Sequence, residues 1–400
     1  MKDRNYNLTI IACFASYVVQ AIVNNFVPLL FIRFNSEYSI PISQITLLVT
    51  INFSLQLLVD LLSVLFVDRI GYRRSMLLAH GFCAVGFILL SFLPSLMENH
   101  FIGILISVFF YAIGGGLLEV LVSPIMEGCP TDNKEKAMSL LHSFYCWGHV
   151  AVVLFTTLFF LAFGISNWRH LSLVWAAVPV LIGIMFIFIP VPSPVKDGET
   201  GLSFKKLFSI KEFWILMLMM VCAGASEQSV SQWASAFAEK ALGITKTLGD
   251  VAGPMMFAVL MGTSRAFFGK KSGGLDLDKF MAFSGILCIA SYLCIALVPN
   301  PLVALAGCAI TGLSVGIMWP GTFSKGSAAI RNGGTAMFAL FALAGDLGCS
   351  GGPTLVGFVS NVFSDNIRIG ILFALVFPIL LLLGLFLLRR KNAMLFRSDE

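Results

Sequence analysis

Two glutamates stand inside otherwise apolar stretches of this chain: Glu119 within Leu117-Leu118-Glu119-Val120-Leu121, and Glu227 within Ala225-Ser226-Glu227-Gln228. A carboxyl away from bulk water can be carried as a neutral acid, and beside a water-filled cavity it can exchange its proton. Glu119 is therefore the first choice for a proton-coupling group; its other reading is a protonated acid hydrogen-bonded to a neighbouring helix. Ser123 follows one helical turn later, so both can face one cavity. Near Glu227, Ser231 falls at i+4, while Gln228 and Gln232 form an adjacent polar stripe with Trp233 beside it. Amides offer paired donors and acceptors and an aromatic ring stacks on an apolar face, which suits a hydroxyl-rich solute. A location near a membrane interface, where Trp is common, accounts for the same residues.

Other polar groups repeat at helical spacing. His142 and Tyr145 are neighbours on one face, as solute-binding or proton-passing groups or as a packing pair near a helix end. Gln20, Asn24 and Pro28 recur every fourth residue, with a kink expected beside Asn24. Asp346, in Ala344-Gly345-Asp346-Leu347-Gly348, is read as a gating acid that pairs with Arg265 or His142, and Asp60 as a gate contact. Trp319-Pro320 marks a kink or a cavity wall. No phosphate-binding Gly-x-x-x-x-Gly-Lys-[Ser/Thr] occurs, no nucleophile–base pair stands at helical spacing, and no His/Cys cluster suggests a metal. The chain reads as a non-enzyme without cofactor, driven by an ion gradient or by the solute's own gradient.

The elements that position these groups follow from composition. Hydrophobic residues make up 58% of the 400 and charged ones only 12%, with a mean hydropathy of +0.91. A soluble domain carries roughly a quarter charged residues, so this chain cannot cover a water-facing surface. Its cysteines form no spaced framework of disulfides or zinc ligands. The first residues lead into an apolar run without a small-residue cleavage pattern, read as a retained first span. A span needs about 20 apolar residues, and twelve candidates run near 7–32, 42–67, 75–94, 101–127, 137–163, 168–190, 210–238, 246–268, 280–298, 301–323, 332–361 and 367–388. Lys and Arg are segregated 20 to 5 between alternate loops, with Arg265 near a helix end completing the 26. Because basic loops resist translocation, both termini are expected in the cytoplasm and the spans are even in number. The Pro- and Gly-containing linker 191–209 divides a six-helix bundle, 1–190, from a second, 210–400. Such a duplicated layout is that of a rocker-type transporter.

The loop Asp68-Arg69-Ile70-Gly71-Tyr72-Arg73-Arg74 after the second span resembles the Gly-x-x-x-Asp-Arg-x-Gly-Arg-Arg turn of the major facilitator superfamily, with Val64 in place of the first Gly. The resemblance implies twelve transmembrane helices in two pseudo-symmetric bundles, with Asp68, Arg69 and Arg73 as cytoplasmic gating residues. A narrower resemblance joins Gly114-Gly115-Gly116-Leu117-Leu118-Glu119 through Ser123-Pro124, His142-Ser143-Phe144-Tyr145, and Glu227 to Trp233 with fucose-permease-like sugar:proton symporters. Ser123 stands where those have Asn, and Asn24-Asn25-Phe26-Val27-Pro28 lacks the acid they carry in the first span.

The sequence is thus read as an all-α protein of the cytoplasmic membrane, monomeric, with a lipid bilayer and a small polar solute as partners and no nucleic acid. The expected function is proton-coupled symport of a sugar or related solute by alternating access. Glu119 couples protons, and the solute meets Asn24, Glu119, Ser123, His142, Tyr145, Glu227, Gln228, Ser231, Gln232, Trp233 and Trp319. The competing readings are an exporter of amphipathic compounds and a non-transporting receptor or scaffold, which has no need of buried acids in both halves.

Overall fold

The computed structural model describes residues 6–130, 134–192, 202, 204–271, 276–330 and 334–398. Within these, the side chains at 64–66, 68, 69, 127, 134–139, 204, 269–271, 327, 334–336, 338, 339 and 390–398 lie outside the description. Every regular element among the described residues is helical. Long apolar runs dictate this, since in lipid each backbone N–H and C=O must find its partner within the segment.

Among the described residues, eleven helices are long and apolar enough to cross a membrane. They are α1 (Asn7–Tyr38), α2 (Ile42–Ile70), α3 (Tyr72–Leu96), α4 (His100–Gly128), α5 (Lys134–Phe163), α6 (Ile165–Phe188), α7 (Lys211–Ala241), α8 (Lys246–Phe268), α9 (Leu277–Leu297), α10 (Pro301–Gly326) and, after one more helix, α12 (Ile367–Arg389). Between α10 and α12 lies α11 (Gly334–Val362), 29 residues long, which completes the twelve of the expected fold. Large apolar side chains such as Leu181, Phe163, Phe358 and Phe386 are 59–64% exposed, a surface suited to acyl chains.

Short connections have local causes. Asn99, Asp276, Asn300 and Asn366 cap helix starts with side-chain oxygens that accept backbone N–H groups. The Lys279 backbone N–H and ammonium hold the exposed Asp276 carboxyl below its ordinary range. Gly71, at φ 90°, turns α2 into α3 at the basic loop singled out in the sequence.

Close Cα neighbours sort the chain into two units, Met1–Val195 with Thr245–Val251, and Lys196–Ile244 with Ala252–Glu400. In the first, Phe26 meets Phe87 and Trp175 edge-on, and Phe87 stacks on Tyr111 with ring centroids 5.2 Å apart. Arg73, at the start of α3, donates to the carbonyls of Phe186, Ile187 and Ile189 at the end of α6. Those carbonyls have no intrahelical partner, so the guanidinium works as a C-terminal cap.

The second unit has a core of Phe213, Leu216, Met219, Met220, Met281, Phe341 and Leu385. There α7 and α11 run almost backbone to backbone: a Cβ at Gly348 would collide with the Val221 carbonyl oxygen. Small residues permit this approach, and dispersion between the two backbones holds it.

Several of these helices are interrupted, among them α8, at the π-helical stretch Val251–Met255, and α12, between Phe373 and Val376. In α1 the α-helix ends at Asn25 and a 3-10 turn, Val27–Leu30, carries Pro28. In α7 it stops at Ser231, turns at Gln232–Trp233, and resumes into a π-helical stretch, Phe237–Ala241. In α10 the break lies between Val315 and Met318, just before Trp319-Pro320. The first helix of each unit is therefore interrupted directly beside its polar residues, and such breaks are tolerated at membrane depth where backbone faces protein or a water-filled cavity.

Candidate functional site

In the first unit, α1, α2, α4 and α5 bring a polar cluster together. Asn24 Oδ1 accepts from Asn52 Nδ2 at 3.2 Å and from Gln56 Nε2 at 2.8 Å. Gln56 Oε1 accepts from Gln20 Nε2 at 3.1 Å, and the same nitrogen lies 3.1 Å from Glu119 Oε2. An unbroken amide chain thus joins Glu119 to the break in α1. Gly116 makes it possible, because a Cβ there would lie 2.9 Å from Gln56 Cα. Beside the chain, Tyr17 Oη and Ser123 Oγ are 3.1 Å apart, the Tyr17 and His142 rings are 5.5 Å apart, and Asn25 Nδ2 reaches Tyr145 Oη at 3.5 Å. His142 is exposed and Tyr145 half-buried.

Two acceptors in this cluster are buried without a partner among the described residues: Gln20 Oε1 and Asn52 Oδ1. Buried amide oxygens are ordinarily satisfied, so the cluster has spare capacity for a hydroxyl or another O–H donor.

In the second unit, Glu227 Oε2 lies 3.0 Å from Arg265 Nη2, a pair with side chains 10% and 18% exposed. Gln228 Nε2 lies 3.4 Å from Glu227 Oε1, and Gln232 Nε2 donates to Gln228 Oε1 at 3.1 Å. Ser231 is buried on the same helix. Trp233 is fully buried and its indole N–H donates to the Pro353 carbonyl at 3.0 Å. It is a packed wall of this unit, not the open stacking platform that its neighbourhood of glutamines suggested. Trp319 packs on Gly345 and lies 6.3 Å from the Phe323 ring. Asp346, the next residue, is buried. Arg265, one of the two partners expected for Asp346, makes an ion pair with Glu227.

Of the residues expected at the cytoplasmic gate, Asp68 and Arg69 have side chains outside the described residues, and Arg73 binds carbonyls of its own half. Sequence reasoning passed over Asn52, Gln56, Tyr17 and the pairing of Arg265. Asn52, Gln56 and Asp60 fall at i, i+4 and i+8 of one apolar helix, a signal present in the sequence.

Residues 9–353 match the Major Facilitator Superfamily. No curated protein matches the chain. Among solved structures, a bacterial homolog of the human lysosomal transporter Spinster, inward-facing and unoccupied, aligns over 98% of this chain and 98% of its own, with 14% identity and a TM-score of 0.78. A D-xylose-proton symporter covers 95% and 96% at 12% identity and TM-score 0.77. The E. coli fucose:proton symporter covers 96% and 99% at 17% identity and TM-score 0.66. At these identities the likeness is one of fold.

Proposed function

The chain belongs to the Major Facilitator Superfamily and is a membrane transporter, not an enzyme, and from that premise we propose that it moves a sugar or related small polar solute together with protons by alternating access. The observation that carries this reading is the 3.1 Å contact between Gln20 Nε2 and Glu119 Oε2. As a carboxylate, Glu119 only accepts hydrogen bonds; as an acid it also donates one. Protonation therefore reverses the demand on Gln20, whose orphaned Oε1 is the matching acceptor. A reversal at Gln20 passes through Gln56 to Asn24, so one proton resets which donors and acceptors the cluster offers a hydroxyl-bearing solute. Two sugar:proton symporters among the structural neighbours agree with the proposal.

Glu119 loads its proton from outside, the solute binds, and the lower proton activity of the cytoplasm releases both. The segregated basic loops put both termini on the cytoplasmic side of the cell membrane. The test is Glu119→Gln in proteoliposomes: solute exchange across the membrane persists, while accumulation driven by an imposed pH gradient is lost. Accumulation that survives the substitution removes Glu119 from the coupling role.

A further inference from the structure

The ion pair between Arg265 and Glu227 lies more than one turn before the break in α7, and each partner carries a distinct chemistry. A guanidinium presents a planar fork that fits a carboxylate or a phosphate. Here one nitrogen of the fork, Nη2, meets Glu227 Oε2 at 3.0 Å while Nε is buried without a hydrogen-bond acceptor among the described residues. Gln228 and Gln232 line the same helix as Glu227, donating to Glu227 and to Gln228. A neutral solute needs no such group, and an ion pair in a membrane interior is retained at a cost that an apolar pair of similar shape avoids.

We propose that Arg265 is the binding group for a solute bearing one carboxylate or phosphate, and that Glu227 leaves it by taking up a proton. The inference rests on the transport reading above and narrows its solute to an organic anion. The anion and Glu227 compete for one guanidinium. A displaced carboxylate left without a cation in this interior is strongly disfavoured, so it becomes the neutral acid. The only bond formed is O–H on a Glu227 oxygen, and for a monoanion, a carboxylate or a singly protonated phosphate, the charge of the site is zero before and after: guanidinium with carboxylate is replaced by guanidinium with solute anion. Anion and proton therefore enter together. The other ionisable groups on α7 and the helices around it include Glu212, Cys222 and Glu239 on α7, Asp346 and Cys349 on α11, Tyr292 on α9, whose hydroxyl donates to the Ser226 carbonyl at 2.7 Å, the paired Lys246 and Asp250 on α8, Cys308 and Lys325 on α10, the latter paired with Asp278, and Arg368 and Arg389 at the ends of α12. Asp346 is a further buried acid on these helices, and a pH dependence that survives Glu227→Gln would take the proton away from Glu227.

The experiment measures thermal stabilisation of the purified full-length chain by glucuronate, gluconate and glucose 6-phosphate, with glucose and glucitol as neutral counterparts, on both sides of neutrality. At least one anion is expected to raise the melting midpoint, more strongly at acid pH, and the neutral set not to. Glu227→Gln is expected to keep anion binding and lose its pH dependence. The charge-neutral double variant Glu227→Gln/Arg265→Gln, which spares the fold an unpaired charge, is expected to bind roughly tenfold or more weakly. Stabilisation by neutral sugars alone overturns the anion assignment and leaves proton-coupled sugar transport standing. Silence of both sets, or anion binding that survives the double variant, also overturns it. Transport itself is judged apart, by the Glu119→Gln assay, which does not involve Arg265.

Discussion

Arg169 and Arg368 hold equivalent places in the two halves: each stands at the start of its half's sixth helix and ties down the ends of that half's first and third helices. Arg169 bonds Glu37 and the Tyr38 hydroxyl at the end of α1 and Ser95 Oγ, 3.1 Å away, at the end of α3, with its guanidinium 4.8 Å from the Trp168 ring. Arg368 donates to the carbonyls of Ile295 and Val298 at the end of α9, at 2.9 and 2.8 Å, and lies 5.5 Å from the Phe237 ring in α7. The duplicated six-helix plan thus extends to the clamps that close each bundle.

The clamps differ in what they leave behind when cut. Arg169→Gln strands Glu37, which keeps Arg33 and the Trp168 indole N–H, and should destabilise the protein by about 2–3 kcal/mol. Arg368→Gln strands only carbonyls and should cost about 1–2 kcal/mol. Thermal melting in detergent measures both, and the two losses should add because the arginines share no partner. An Arg368 variant less stable than the Arg169 one would contradict this account.

Gln56 is the hinge of the amide chain, donating to Asn24 and accepting from Gln20. Gln56→Ala removes one hydrogen bond from each amide, leaving Asn24 Oδ1 its bond from Asn52 and Gln20 Nε2 its bond to Glu119, for an expected loss of about 1–3 kcal/mol. Solute affinity should fall with it, whereas a purely packing role would lower the melting midpoint and leave affinity as it was. A binding titration beside the melt separates the two.

The twelve helices and the interrupted α1 and α10 were legible in the sequence, because apolar run length, basic loops and proline act locally. Glu119, Asn24 and Ser123 were legible for a related reason: a polar residue in an apolar span is costly and stands out. Partners were not legible. Nothing in the spacing of Gln20 says that it meets Glu119, 99 residues away, or that Trp233 turns toward Pro353. Such choices depend on which helix faces pack, and the Gly114-Gly115-Gly116 run that lets α2 approach α4 shows only as small residues.

Arg73 should behave as a cap. Arg73→Ala exposes the last carbonyls of α6 in a region where three bonds now meet one guanidinium, and a loss of about 1–2 kcal/mol is expected. Arg73→Lys should recover only part of it, because an ammonium lacks the planar fork that reaches several carbonyls at once. Full rescue by Lys would mean that charge alone matters there.

Orientation can be read with cysteine chemistry because the chain's own cysteines are hidden. All nine are free, eight are buried, and only Cys294 is half-exposed. A single added cysteine should therefore stand out against a low background. Glu98, exposed between α3 and α4, belongs to a loop poor in Lys and Arg, and Lys211, exposed at the start of α7, to a basic one. If the basic loops stay in the cytoplasm, a membrane-impermeant maleimide added to intact cells should label Glu98→Cys and not Lys211→Cys. In inside-out vesicles the two should exchange. Labelling of Lys211→Cys in intact cells would invert the topology, and with it the direction in which Glu119 is proposed to carry its proton.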